Sequence, residues 1–216
     1  FDSTHEFQNT MNRRFFIAAA VIFSTVAHGV ASPITIGQRR ELFVDHFLID
    51  KLSGTHLQLH APRDEGVVLK FDKPWEGPFS GYVTIVTLGD GRLRAYYRGK
   101  ALANKDGSED ELTCCAESID GRAWTKPELD LFEVMGTRQN NVVLMNAHTA
   151  THNFCPFRDG RTGVPADEQF KALGGTMEGG GLTAWKSHDG YRWQKMVASP
   201  VITKETVPYK YMFDSQ

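Results

Sequence analysis

Residues 118–126 read SIDGRAWTK, and residues 187–195 read SHDGYRWQK. Both spell Ser-x-Asp-Gly-x-x-Trp-x-Lys, and the second copy starts 69 positions after the first, Ser187 against Ser118. Asp-Gly is turn chemistry: the carboxylate bonds nearby backbone N–H groups, and glycine accepts a positive φ. A tryptophan a few residues on can fold back onto a sheet. Each copy is therefore expected to be the turn joining the third and fourth strands of a four-stranded sheet. Four strands per unit, repeated at several tens of residues, is propeller logic, because one sheet cannot bury both its faces alone.

The flanking sequence supplies the other strands. GYVTIVTLGDGRLRAYYRG sets Tyr82 to Thr87 against Leu93 to Arg98 around Gly89-Asp90-Gly91, a hairpin signal of β-branched and aromatic residues about a Gly/Asp turn. LTCCAES is expected to form a third strand, and the first turn leads to a fourth near Trp124. After a long connection the pattern restarts. HNFCPF, EQFKALGG and GLTAWKS read as three strands, and SHDGYRWQKM as the turn and a fourth. Upstream, THLQLHAP and GVVLKFD alternate in strand fashion, and 42–49 is a compact apolar segment closed by Ser53-Gly54. No amphipathic helix is expected after residue 32.

Composition narrows the function classes. A formal charge of −2 without a dense Lys/Arg run gives no support for nucleic-acid binding. A hydrophobic fraction of 41% in 216 residues is enough for a sizeable core. Residues 1–10 precede a start Met and read as upstream read-through. Residues 11–32 carry Arg13 and Arg14, an apolar run from Phe15 to Ala27, and small exit residues (Gly29 and Ala31, or Val30 and Ser32). That is a secretory signal peptide, and the run falls short of the roughly 20 residues of a membrane span. The chain is thus expected to be exported, to the periplasm or the medium, with no membrane span after cleavage. Its oligomeric state is left open.

Cys114 and Cys115 are adjacent on the third strand, so their side chains point to opposite faces. One could pair with Cys155 in an oxidising compartment; the alternative is three small buried hydrophobes. No metal site is expected, since CxxC and HxxxH spacings are missing, and no cofactor is implied. Nor is there calcium-loop spacing.

Four stretches, ELFVDHFLID, FDKPWEGPFSGYV, YYRG with CAESIDGRAWTKPELDLFE, and HNFCPF through FKALGG, resemble the five-bladed β-propeller superfamily of glycoside hydrolase families 32, 43 and 68. Within it the likeness is to large exported bacterial proteins similar to family 32. The resemblance implies an all-β propeller of four-stranded antiparallel blades over 33–216. Blade 1 would span about 80–130, blade 2 about 152–203, and a third would start at about 209–216. Five such blades need well over 300 residues, so the chain reads as the N-terminal part of a longer protein.

The resemblance also implies carboxylates on separate inner strands around a central funnel, because glycoside hydrolysis uses one carboxyl as acid and another as nucleophile or base. By that analogy Glu76 and Asp214 are the catalytic pair, and Trp75, Arg98, His152 and Asn153 hold a poly- or oligosaccharide. Two departures stand out. The second blade offers His152 and Asn153 in place of an acid, and the family 32 Asn-Asp-Pro motif is missing. Each candidate has a plainer reading: Glu76 a loop carboxylate, His152 an inner histidine, Arg98 a salt-bridge partner, Trp75 a blade seal, Asp214 a strand-end cap. Asp120, Asp159 and Asp189 read as turn residues, and the role of Asp45 is open. The alternatives to a hydrolase are a non-catalytic glycan- or protein-binding propeller, and a sialidase-like enzyme.

Overall fold

The computed structural model describes residues 33–102, 108 and 110–206. The expected leader of 11–32, the expected third-blade strand of about 209–216 and Asp214 lie outside the described residues. The chain divides into two units, residues 1–61 and 62–216. In the first, residues 33–61 form turns and bends, and Leu42, Val44 and Phe47 are exposed rather than packed. Asp45 there accepts a hydrogen bond from the Phe47 N–H at 2.8 Å, closing a local turn.

The second unit is all-β. Its strands are β1 (Gly81–Thr87), β2 (Leu93–Gly99), β3 (Leu112–Ser118), β4 (Val142–Leu144), β5 (Cys155–Arg158), β6 (Phe170–Gly174), β7 (Thr183–Ser187) and β8 (Gln194–Lys195). They make two antiparallel four-stranded sheets in chain order, β1-β2-β3-β4 and β5-β6-β7-β8. Among the described residues the helical elements are two 3-10 turns, His148–Thr151 and Ala166–Glu168. No helix among them is long and apolar enough to cross a membrane.

Strand alternation divides the first sheet into two buried faces. On one, Ala95, Tyr97, Cys114, Ala116 and Val142 pack with Trp75, and with the half-buried Leu69, Phe71 and Trp124. On the other, Tyr96, Cys115 and Val143 pack against Phe170, Tyr191 and Trp193 of the second sheet. Cys114 and Cys115 thus face opposite ways, and all three cysteines are thiols. Burial pushes the Cys114 and Cys115 thiols well up, so both stay protonated at neutral pH.

The two repeated turns share one geometry. Ser118 Oγ accepts the Gly121 N–H at 2.8 Å and Ser187 Oγ the Gly190 N–H at 2.9 Å. Asp120 Oδ1 accepts the N–H groups of Arg122 and Ala123, and Asp189 Oδ1 those of Tyr191 and Arg192, all at 2.8–2.9 Å. Gly121 has φ +75° and Gly190 +74°, the left-handed conformation this turn demands. Trp124 folds back on the face of its sheet that carries Ala116, and Trp193 on the face that carries Trp185, two positions before the serine in each copy.

Three expectations are corrected. The first turn leads only to one bridge, Glu117 with Thr125, and the fourth strand of that sheet lies at β4 instead. Residues 55–72 form no strand: their alternation has no partner to complete a ladder. His152 and Asn153 precede β5, where the 3-10 turn ends, rather than opening the strand.

Candidate functional site

The first strands of the two sheets, β1 and β5, lie against each other, with Thr84 Oγ1 3.6 Å from Cys155 Sγ. The β1–β2 register slips between Gly81 and Thr84, and Tyr82 at the slip has φ +51°. A bulky residue in the left-handed region costs about 1–3 kcal/mol and persists only where its surroundings impose it. Here they do: the ring lies 4.8 Å from the Arg98 guanidinium carbon and 5.1 Å from the His152 ring. Tyr82 is nevertheless 41% exposed. The slip turns an aromatic face towards solvent and backs it with two polar side chains.

Behind Tyr82 lies a buried charged cluster. Arg98, at the end of β2, donates from Nε to the Phe79 carbonyl at 2.9 Å. Its Nη1 lies 2.9 Å from His152 Nδ1 and 3.5 Å from Glu111 Oε1. A guanidinium only donates and a carboxylate only accepts, so Nδ1 serves one neighbour at a time, as acceptor to Arg98 or as N–H donor to Glu111. Glu111 Oε2 is 3.2 Å from the same Nδ1. Lys100, fully buried, bonds Asp110 at 3.0 Å and lies 3.8 Å from Glu111; its Nζ also meets Ser108. Arg98 and Lys100 therefore face Glu111 and Asp110, each basic group beside an acidic one. Paired in this way, buried charges avoid most of the desolvation cost of isolated ones.

Of the expected site residues, Arg98 and His152 come together here. Asn153 does not join them: its Oδ1 accepts the Gly175 N–H at 2.9 Å, pinning the loop after β6. Trp75 and Glu76 lie in the core of the first sheet, on its face away from the second. Trp75 Nε1 donates to Asn141 Oδ1 at 2.8 Å. Glu76 is fully buried; it accepts the Tyr97 hydroxyl at 2.7 Å, the Lys73 N–H at 2.9 Å and the Lys126 ammonium at 2.6 Å. Both side chains are thus enclosed, Trp75 at 6% exposure and Glu76 at 0%.

The residues missed from sequence are Tyr82, Lys100 and Glu111. Lys100 follows β2 and Glu111 precedes β3. Extending the β2–β3 register one step past Gly99 and Leu112 sets the two opposite each other. That signal was available; the slip that swings Tyr82 outward was not. Among the described residues no group of three His, Cys, Asp or Glu is placed to hold a metal ion.

No protein-family model matches this chain, and no curated protein matches it.

Proposed function

We propose that the two sheets are successive blades of an exported, carbohydrate-active β-propeller of the glycoside hydrolase 32/43/68 kind. The identical turns, with Trp124 and Trp193 on corresponding sheet faces, support the radial repeat. The basic, then apolar leader supports export. In this reading β1 and β5 are inner strands, and the corner between them holds sugar. Tyr82 is the stacking platform, while Arg98 and His152 meet hydroxyl or carboxylate groups beside it. The observation that carries the reading is the half-exposed Tyr82 ring, strained into place over Arg98 and His152.

Hydrolysis needs two carboxyls set about 5–9.5 Å apart across the scissile bond. The pair expected from sequence is Glu76 and Asp214: Glu76 is enclosed among Tyr97, Lys73 and Lys126, and Asp214 lies outside the described residues. The same enclosure favours the second reading, a propeller that binds glycans without cleaving them.

The test is a screen of the full chain for glycan binding and for reducing-sugar release, beside Tyr82→Ala and Asp214→Asn. Tyr82→Ala is expected to lower binding at least tenfold while the denaturation midpoint does not fall. Unchanged binding in that variant would remove the sugar platform. Sugar release that disappears in Asp214→Asn identifies a hydrolase, whereas binding without release in the wild type identifies the binding module.

A further inference from the structure

A second feature sits at the opposite ends of the same two strands, remote from Tyr82. An open cavity of ≈ 460 Å³ is bounded by the β1–β2 turn, the end of β5, the Ala166–Glu168 turn and the second Asp-Gly turn. It is a shallow, open depression rather than an enclosed cleft, and Arg158 is exposed in it. Three arginines line it, Arg92, Arg94 and Arg158, together with His188.

Two of those cations are already committed. Arg92 pairs with Asp90 at 2.8 Å and with Glu117 at 3.0 Å. Arg94 pairs with Glu117 at 2.8 Å and donates to the Asp189 carbonyl at 2.7 Å. Arg158 makes no ion pair among the described residues. Its guanidinium rests against Gly89, with Nη2 3.0 Å from where a Cβ on that glycine would stand. Three cations against two carboxylates leave one positive charge over, on a planar group whose fork matches an oxyanion.

The geometry points to an anion-binding site here, centred on Arg158 and taking a sulfate-sized oxyanion, free or carried on a sugar. Arg158 supplies the bidentate contact, and Arg92 and Arg94, held in place by Glu117, raise the local potential. The acid in the lining, Asp90, is spent on Arg92. Gly89 has an ordinary φ, so its missing side chain serves to admit the guanidinium rather than to permit the turn.

The experiment is calorimetric titration of the full chain with sodium sulfate and with a sulfated monosaccharide, each against sodium chloride at matched ionic strength. Both probes are expected to bind where chloride does not, and Arg158→Gln to weaken them about tenfold. Arg122→Gln, an exposed arginine elsewhere, is expected to change neither. A sulfated sugar bound more tightly than sulfate makes the sugar the natural carrier; equal affinity makes it the free anion. Sulfate indistinguishable from chloride, or unaffected by Arg158→Gln, overturns the site. Should Arg158→Gln fail to fold, Arg158→Lys takes its place, since it keeps the charge and removes the planar fork: weaker sulfate binding is expected, and unchanged binding overturns the bidentate site.

Discussion

The Tyr96 hydroxyl donates to the Gly190 carbonyl oxygen at 2.8 Å, so a β2 side chain of the first sheet caps the Asp-Gly turn of the second. In the first copy the equivalent carbonyl, that of Gly121, is taken by Trp124 Nε1 of its own turn at 3.0 Å. The same backbone group is thus used within one sheet in one copy and between sheets in the other. Trp193, relieved of that bond, keeps a buried Nε1 with no hydrogen-bond partner and packs edge-on against Phe154, ring centroids 5.0 Å apart. Tyr96→Phe removes the donor and leaves the Gly190 carbonyl buried. The expected loss is about 1–3 kcal/mol, read as a lower urea midpoint at unchanged slope. A midpoint within error of the wild type would mean the bond holds nothing together.

The two turn glycines should respond differently to the same change. Both have φ near +75°, where an alanine costs about 1–2 kcal/mol whatever its surroundings. A Cβ at Gly121 would meet only Leu93 Cδ1, at 3.4 Å. At Gly190 it would stand 2.5 Å from the Tyr96 oxygen, 2.6 Å from Arg94 Nη1 and 3.2 Å from Phe170. Gly190→Ala is therefore expected to cost at least twice what Gly121→Ala costs in equilibrium unfolding. Equal losses would show that backbone conformation alone sets the penalty.

Much of this architecture could be read from turn chemistry, and what escaped did so for identifiable reasons. Seven residues of alternating and aromatic sequence on each side of Gly89-Asp90-Gly91 define β1 and β2 without help from the rest of the chain. β4 is three residues, Val142–Leu144, too short to carry a period, and it joins the sheet only because β3 already offers an edge. The segment before β1 alternates as a strand should, yet Leu69 and Phe71 cover a sheet face instead of entering a ladder. At the site, Arg98 and His152 are legible as polar groups near strand ends. Tyr82 is not, because its outward turn depends on a one-step register slip that the residue pattern does not record.

Stability should fall in acid for a cause visible in the turns. The Ala123 and Arg122 N–H groups, with Ser118, hold the Asp120 carboxyl below its usual range. Burial pushes Asp189 the other way, but the N–H groups of Arg192 and Tyr191 outweigh it and its pKa is also lowered. Arg161 and then Lys171 hold Asp159 down strongly. A carboxyl whose pKa is depressed by folding contributes stability that is complete above its unfolded value, near 3.9, and lost as pH falls through the folded one. The urea midpoint is expected to be flat between about pH 5 and 7 and to drop below about pH 4. Asp159→Asn should lower the plateau and shallow the drop. An unaltered slope would place the acid sensitivity elsewhere.

Glu76→Gln separates a buttress from a reacting group. Lys126, the last residue of the first repeated motif, reaches Glu76 Oε2 at 2.6 Å, Asp72 Oδ1 at 2.8 Å and the Lys70 carbonyl at 2.6 Å. Its counterpart Lys195 does something else, with Nζ 5.6 Å from the Trp185 ring centroid. Asp72 is well exposed, so Glu76 is the buried half of the pairing, and the amide leaves the Lys126 ammonium facing a neutral group in the core. Breaking one side of a buried pair costs about 3–5 kcal/mol, and the expected loss here is about 3 kcal/mol because Asp72 remains. Lys126→Gln alone should cost a similar amount, and the double variant less than the sum, since neither partner is then left charged and alone. A reacting carboxylate gives the reverse pattern: unfolding unchanged, sugar turnover abolished, and no coupling to Lys126. Unfolding curves for the four proteins of this cycle, run beside a sugar-release assay, tell the two apart.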